Sequence, residues 1–355
     1  MKKIICLIES LGSGGAERQI TGLAILLKEQ GYEVEVWYYA PRHFYCKDLE
    51  KGNVKFRHIS EAENKYKRLG IIRKELLKAK PDTVITYLNT PSIIGCISKI
   101  TGGKFNLIVS ERNTTQNLGI TDRIKFFLYR FADHIVPNSF SQGEFIERHY
   151  PNLKNKIKCI TNFVDTNKFS PNLNKEPNTK TRILTVARIM PQKNVIKYIQ
   201  AIKKVAETGY NFEVCWFGNY ISDEYFNKCK QTITELGIED IFKFYPATTN
   251  IIEEYHKSDI FCLPSIYEGF PNVVCEAMCC GLPIVCSNIC DNPNIVTHNN
   301  GFLFNPENIE SMANTIIEAI NTTNEQRDLI SRSCRERSIE LFSKHKFVKA
   351  YTKLL

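Results

Sequence analysis

The chain has 355 residues, a length that suits two domains of ordinary size. Because 43% of the residues are hydrophobic and 24% are charged, extensive disorder is not expected. The net charge of +9 is uneven: residues 1–170 carry 27 Lys and Arg against 17 Asp and Glu, whereas residues 171–355 carry 20 against 21. The basic first part suggests an acidic partner, which could be anionic lipid, a diphosphate or nucleic acid. A solvated Lys-rich surface is the alternative.

No export signal or membrane span is expected. The N-terminal apolar run at residues 4–8 is too short for a secretory signal, and no run approaches the roughly 20 apolar residues of a membrane helix. We therefore expect a cytoplasmic protein, attached at most to the inner face of a membrane.

The 13 Cys, several of them within apolar runs, are expected to be free buried thiols. No metal site is expected, because the densest cluster lacks a C-x-x-C pair. Its members are Cys275, Cys279, Cys280, Cys286 and Cys290.

Short apolar runs alternate with helix-like stretches through residues 1–169, as in a parallel sheet with helices on both faces. An amphipathic pattern predicts a helix at 16–30, which Gly31 ends. Strands are predicted at 3–8, 33–39, 82–88, 106–110 and 134–138.

Residues 170–180 lack periodicity and are interpreted as a linker to a second α/β domain at 181–338. A helix is expected at 194–208, and residues 339–355 are expected to form a C-terminal helix that packs back on the first domain. Because ligands of parallel sheets bind beyond the carboxyl ends of the strands, two facing domains would form a binding cleft. Strands of the second sheet are predicted at 182–187, 212–217, 260–263 and 283–287.

The first candidate site is the glycine-rich stretch that ends the first strand and opens the first helix. Gly14 and Gly15 would allow backbone N–H groups to approach a phosphate at the helix N-terminus. Glu17 stands where the dinucleotide fingerprint needs Gly, and no clear ribose-binding acid ends the second strand, so a nicotinamide dehydrogenase is disfavoured. A tight strand-to-helix turn is the purely structural alternative.

The second candidate site combines Arg188 and Lys193, which follow the first strand of the second domain. A guanidinium fork and a mobile ammonium together suit a diphosphate, although two solvated cations beside a turn would give the same pattern.

The third candidate is the loop between Glu268 and Glu276. Asn272 could cap the helix that follows, leaving backbone N–H groups near residues 270–274 to hold phosphate. The two carboxylates could accept hydrogen bonds from sugar and ribose hydroxyls, although two Glu on a solvated face are an equally simple interpretation.

Taken together, these segments resemble the family 4 retaining glycosyltransferases. The motifs are Gly14-Gly-Ala-Glu17, Asn162-Phe-Val-Asp165, Val186-Ala-Arg188 with Lys193, and Glu268–Val296, and they occur in the family's order. The resemblance covers most of the chain and implies an α/β fold with two facing Rossmann-like domains, the GT-B type, and a cleft between them. Pro293-Asn294 departs from the Pro-Glu that the family commonly has there.

The resemblance also implies roles. Arg188 and Lys193 would neutralise the donor diphosphate, Glu276 would hold the ribose, and Glu268 would hold the donor sugar. Gly14 and Gly15 would let the first domain close on the diphosphate. The remaining donor contacts would come from Phe270, Pro271, Asn272 and Val273.

The acceptor is expected on the first domain. Ser110-Glu111-Arg112-Asn113 resembles a segment of polysaccharide-assembly members, so Glu111 and Arg112 are candidate acceptor contacts. Glu17 and Arg18 are assigned to the same side.

Two basic helices, at 65–80 and 121–130, could face an anionic membrane or a lipid-diphosphate acceptor. For each helix, packing of the apolar side on the sheet is the simpler alternative.

The function predicted is retaining transfer of a hexose from a nucleotide sugar, with UDP expected, to a glycan or lipid-linked acceptor in surface polysaccharide synthesis, such as lipopolysaccharide or capsule. No cofactor, no metal and no nucleic acid is expected, whereas the inner membrane surface is a candidate partner. A nucleotide-sugar epimerase and a non-catalytic protein that binds anionic surfaces stay open as alternatives.

Overall fold

The computed structural model describes residues 1–60, 64–115 and 118–355. The chain divides into two compact units, Met1–Phe163 with Lys344–Leu355, and Val164–Ser343. Within the described residues, each unit has one sheet of six parallel strands. The predicted α/β fold with two parallel sheets is therefore confirmed.

In the first unit the strands lie in the order β3-β2-β1-β4-β5-β6. The residues of the central strands are almost all buried, as in parallel sheets that helices cover on both faces. The strands are β1 (Lys3–Leu7), β2 (Glu33–Tyr38), β3 (Lys55–His58), β4 (Thr83–Tyr87), β5 (Asn106–Glu111) and β6 (His134–Pro137). The helices are α1 (Gly15–Glu29), α2 (Cys46–Lys51), α3 (Lys65–Ala79), α4 (Asn89–Ile100), α5 (Ile120–Leu128) and α6 (Phe140–His149).

The second unit repeats this topology with the order β12-β11-β10-β7-β8-β9. Its strands are β7 (Thr181–Val186), β8 (Phe212–Phe217), β9 (Phe242–Tyr245), β10 (Ile260–Leu263), β11 (Ile284–Ser287) and β12 (Gly301–Phe304). Its helices are α7 (Val195–Ala206), α8 (Asp223–Leu236), α9 (Ile251–Lys257), α10 (Asn272–Cys279), α11 (Asn292–Ile295), α12 (Ile309–Ile320) and α13 (Asn324–Phe342).

The end of the chain differs from the single helix expected at 339–355. Helix α13 already starts at Asn324 and stops at Phe342, and after Ser343 a separate helix, α14 (Lys344–Thr352), belongs to the first unit. The Phe347 ring lies 5.0 Å from that of Phe163, and Tyr351 Oη lies 2.9 Å from Tyr87 Oη in the core. The boundary between the units falls after Phe163, and residues 170–180, which lack helix and strand, lie within the second unit.

Among the described helices, none combines the length and the apolar character that crossing a bilayer would require.

Candidate functional site

The strand order of the second unit reverses between β7 and β10, which pair side by side. Such a switch point, at the carboxyl ends of the strands, is where open parallel sheets bind ligands. The segment after β7 carries Arg188 and Lys193, and the segment after β10 carries Glu268. The sheet therefore brings together residues that are 75 or more positions apart in the sequence.

Arg188 occupies a firmly held stretch of backbone. The N–H groups of its neighbours Ala187 and Ile189 donate to the carbonyls of Phe217 and Asn219, and Trp216 Nε1 donates to the Ala187 carbonyl at 2.8 Å. The strands approach so closely here that a Cβ on Gly218 would lie 1.9 Å from that carbonyl oxygen. Arg188 itself is exposed, so a fixed backbone presents a guanidinium to solvent.

Lys193 forms an ion pair with Glu268, with 2.5 Å between Nζ and Oε1. Ser265 Oγ donates to the same oxygen at 2.6 Å. The two loops are also joined by Gln192, whose carbonyl accepts from the Ile266 N–H and whose side chain donates to the Tyr267 carbonyl. The pair is thus positioned by its loops, and it remains partly open, since the two side chains are 13% and 10% exposed.

Helix α10 begins at Asn272, directly after Pro271, so the N-cap lies one residue earlier than the sequence predicts. Phe270 is buried, and its ring contacts that of Phe342 edge-on with centroids 5.8 Å apart. Val273 and Asn272 are half-buried in the first turn. The Phe270 side chain therefore fixes the start of the helix from inside the unit.

Glu276 lies on the second turn of α10 and is nearly buried. Tyr255 Oη donates to Glu276 Oε2 at 3.2 Å and lies 3.3 Å from the Val273 carbonyl. Sequence patterns gave no indication of this contact, because Tyr255 lies on α9, a short helix that no sequence pattern predicted. Its hydroxyl orients the carboxylate that the sequence assigned to the ribose.

In the first unit, Gly14 is the N-cap of α1 and Gly15 its first residue, so the helix starts one residue earlier than the sequence predicts. The Glu17 carboxylate folds back over this end of the helix: a Cβ on Gly14 would lie 2.2 Å from Glu17 Oε2, and Ser10 Oγ donates to Oε1 at 3.2 Å. An anionic side chain thus already lies at the turn where a phosphate was expected, and Arg18 is half-buried in the same turn.

Glu111 ends β5 with a fully buried side chain. Lys125 Nζ lies 2.9 Å from Glu111 Oε2, and the Tyr129 hydroxyl donates to Oε1. Burial, together with the Glu111 charge, raises the pKa of Tyr129 well above its usual range. Both carboxylate oxygens are engaged inside the protein, so contact of Glu111 with an acceptor would require these bonds to be replaced.

Arg112 is 9% exposed and stacks over the Tyr87 ring, with 4.0 Å from Cζ to the ring centroid. Its terminal nitrogens donate to Asn162 Oδ1 at 2.7 Å and to Tyr351 Oη at 2.5 Å. The guanidinium therefore connects the carboxyl edge of the first sheet to the C-terminal helix.

All 13 Cys are free thiols. Burial raises the pKa of Cys6 and of Cys262 to about 12, so these thiols are protonated at neutral pH. In the described part of the chain, no three His, Cys, Asp or Glu side chains converge in a way that could hold a metal ion.

These side chains permit a defined chemistry. The second unit offers an exposed guanidinium, an ammonium paired with a carboxylate, and a second carboxylate held by a tyrosine. Cations suit a diphosphate, and oriented carboxylates suit vicinal hydroxyl groups.

Two families match successive parts of the chain: Glycosyltransferase Family 4 over residues 13–168, and Glycosyl transferases group 1 over residues 166–335. One relative, from Campylobacter jejuni, is the N-acetylgalactosamine-N,N'-diacetylbacillosaminyl-diphospho-undecaprenol 4-alpha-N-acetylgalactosaminyltransferase. It is 27% identical over 313 residues, which cover 81% of each chain. Another, the UDP-Gal:alpha-D-GlcNAc-diphosphoundecaprenol alpha-1,3-galactosyltransferase of Escherichia coli, is 29% identical over 53% of this chain and 51% of its own.

The fold also matches solved structures. The Anabaena protein HepE in complex with UDP superposes with a TM-score of 0.88 at 20% identity, covering 99% of both chains. A glycosyltransferase from Rickettsia africae gives 0.87 at 20% identity, covering 99% of this chain and 97% of its own. With its two parallel sheets, and with family matches that together span residues 13–335, the chain is a glycosyltransferase whose first part belongs to Glycosyltransferase Family 4 and whose second part belongs to Glycosyl transferases group 1.

Proposed function

We propose that the chain transfers a hexose from a UDP-sugar to a lipid-diphosphate-linked acceptor, with retention of the anomeric configuration, during assembly of a surface glycan. The observation that carries this proposal is the arrangement at the switch point of the second sheet. There the Lys193–Glu268 pair and the exposed Arg188 lie beyond the ends of β7 and β10.

The donor would be held by an exchange of partners. Glu268 can turn from Lys193 to sugar hydroxyls, while Lys193 and Arg188 turn to the diphosphate. Glu276, oriented by Tyr255, would accept hydrogen bonds from the ribose. UDP as the nucleotide is supported by the name of the Escherichia coli relative and by the UDP complex of the Anabaena protein.

Departure of the nucleotide would be the step that the protein accelerates most. As the bond from the anomeric carbon to the phosphate oxygen breaks, negative charge grows on the diphosphate, and two preorganised cations stabilise it. The acceptor hydroxyl would then attack the anomeric carbon from the face that the nucleotide leaves, and its proton would pass to the departing phosphate oxygen. Retention is supported by the α-linkages in the names of both relatives, since a UDP-hexose that is itself α-linked gives an α product only by retention.

The acceptor class is supported by the two relatives, both named for undecaprenyl-diphosphate-linked sugars. The first unit suits such an anion, because it carries 30 Lys and Arg against 16 Asp and Glu, a balance of +14, whereas the second unit has 17 against 22, a balance of −5. An acceptor on a lipid carrier would place the reaction at the inner face of a membrane.

Transfer assays test this proposal. Purified protein is incubated with a panel of radiolabelled UDP-sugars, with and without a prenyl-diphosphate-linked sugar. We expect label in the lipid fraction from at least one donor only when the acceptor is present, and an α-linkage in the product. Conversion of a donor without acceptor would favour an epimerase, and the absence of both UDP binding and turnover across the panel would refute the UDP-sugar assignment.

A variant pair tests the site. Glu276→Ala should lower kcat/KM by more than tenfold, or about 1.4 kcal/mol or more. Glu310→Ala, which removes an exposed carboxylate that pairs with Lys204 on the same unit, should keep the wild-type rate. Equal rates in both variants, with unchanged melting, would show that the ribose contact is wrongly assigned.

A further inference from the structure

Helix α5 carries a row of exposed apolar side chains. Ile120, Ile124 and Phe127 are 80%, 53% and 51% exposed, and Phe131, in the 3₁₀ turn that follows, is 38% exposed. Spacings of four, three and four residues place these side chains on one face of a helix. We name this row of four side chains the α5 stripe.

The opposite face of the same helix is buried and combines an ion pair with aromatic side chains. Lys125 is 2% exposed and pairs with Glu111 of the sheet at 2.9 Å, and with Asp122 at 3.4 Å. Phe126 and Tyr129 are buried beside it. A helix on a protein surface ordinarily turns its apolar side inward and its polar side to water. In α5 the buried ion pair anchors the helix with the apolar α5 stripe outward, and the described residues leave that stripe uncovered.

Cations flank the α5 stripe. Arg123 and Arg130 are exposed, and the Arg130 guanidinium lies 3.7 Å from the centroid of the Phe127 ring, where it also donates to the Phe127 carbonyl. The unit around them has a balance of +14. Apolar side chains bordered by arginines suit the boundary between lipid headgroups and acyl chains. A second copy of the chain would bring an equally positive unit against this face.

We propose that the α5 stripe docks onto an anionic lipid bilayer, with its four apolar side chains below the headgroups and Arg123 and Arg130 at the lipid phosphates. The inference deepens the proposed function, since it rests on an acceptor that is held in a membrane. The buried Lys125–Glu111 pair keeps the helix in position while its outer face leaves water.

Vesicle sedimentation tests the docking surface. The full chain is mixed with vesicles of phosphatidylcholine alone or with phosphatidylglycerol added, and we expect binding to the anionic vesicles. The double variant Ile124→Ser/Phe127→Ser should bind at least about tenfold more weakly. Arg123→Gln/Arg130→Gln should lose the preference for phosphatidylglycerol. As a control, Leu329→Ser/Ile339→Ser removes two exposed apolar side chains from α13 and should bind like the wild type.

Failure of this inference can be told apart from failure of the proposed function. Transfer to a short-chain, water-soluble acceptor should survive in the Ile124→Ser/Phe127→Ser variant, because the site residues are untouched. If the wild-type protein transfers sugar but does not bind anionic vesicles, the proposed docking surface is wrong and the proposed function is unaffected. A second result would also overturn the docking surface: the folded Ile124→Ser/Phe127→Ser variant keeps full vesicle binding but is a monomer in light scattering where the wild type is a dimer. The α5 stripe would then be an interface between two copies of the chain. Vesicle binding without any transfer would instead overturn the proposed function.

Discussion

Each unit contains a Lys–Glu ion pair at the carboxyl edge of its sheet, and the two pairs differ in access. Lys125 and Glu111 in the first unit are 2% and 0% exposed, and Tyr129 engages the second carboxylate oxygen. Lys193 and Glu268 in the second unit are 13% and 10% exposed. The residue types are the same, but only the second pair is open to solvent.

This difference separates a structural pair from a candidate site. Removing both charges from water costs several kcal/mol. In a sealed pair, only the attraction between the two charges and their hydrogen bonds within the protein can offset this cost. Such a pair fixes the position of a helix and has no capacity for a ligand. A pair with an open side can exchange its partners for a diphosphate and hydroxyl groups, so solvent access predicts function better than residue type.

The largest effect is expected from breaking the sealed pair. Lys125→Met leaves the Glu111 carboxylate buried without its cation and should lower the free energy of unfolding by about 3–5 kcal/mol. The chain has one Trp in each unit, Trp37 and Trp216, so denaturant unfolding of a Trp216→Phe background reports the first unit through Trp37. Replacing both partners, as in Lys125→Met/Glu111→Leu, should restore most of the loss. If the free energy of unfolding of Lys125→Met lies within about 0.5 kcal/mol of its background, the buried pair is not the structural element that we describe.

Breaking the open pair should affect activity instead. Lys193→Ala removes a cation from the diphosphate and should lower kcat/KM by more than tenfold, or about 1.4 kcal/mol or more, while the unit stays folded. The matched control is Lys197→Ala, four residues along, where the lysine pairs with the exposed Glu307. If Lys193→Ala chiefly lowers stability and spares transfer, the two pairs are alike after all.

A smaller effect is expected at the hydroxyl that orients Glu276. Tyr255→Phe removes the hydrogen bond to Oε2 and the contact with the Val273 carbonyl. A hydrogen bond of this kind contributes about 1 kcal/mol, so KM for the donor should rise about fivefold with kcat nearly unchanged. Tyr220→Phe, at an exposed position, should leave both constants at wild-type values. An equal fall in kcat would mean that Tyr255 acts in the chemical step.

The smallest effect concerns the thiols, which report on each unit separately. Burial raises the pKa of Cys6 in the first unit and of Cys262 in the second to about 12, from an ordinary value of 9.0. The raised pKa values make a contribution to the free energy of unfolding that is constant below pH 9. This contribution is lost as the pH rises from 9 toward 12, because in that window the thiols ionise only in the unfolded chain.

At pH 8 a disulfide reagent should therefore react first with the half-buried Cys46, Cys159 and Cys290, as followed by mass spectrometry. In Lys125→Met, Cys6 should become reactive while Cys262 stays protected. Equal exposure of both thiols would mean that the two units open together.

Much of the fold could be predicted because buried parallel strands are continuous apolar runs. The strands at 212–217 and 260–263 were predicted with the observed bounds. Three strands were missed, β3, β9 and β12, and each lies at a sheet edge. Lys55–His58 shows why: an edge strand has one neighbour, is half-exposed and carries charges, so its sequence lacks the apolar run.

The candidate site was predictable only as far as local motifs reach. The spacing of Glu268 and Glu276 and the position of Lys193 belong to such motifs. The contact between Lys193 and Glu268 spans 75 residues, and only the pairing of β7 with β10 creates it. Likewise, residues 121–130 contain both cations and aromatic residues, and their composition does not show which side chains point inward. Lys125 points inward because it pairs with Glu111, which lies on β5.

The position of α14 has a consequence for synthesis of the protein. Phe347, Val348 and Tyr351 belong to the core of the first unit, although a ribosome makes them after all 180 residues of Val164–Ser343. At about 5–20 residues per second, that intervening stretch takes about 10–40 s to translate. For this time the nascent first unit lacks part of its core, so the unit that starts first cannot finish folding until the other has been made.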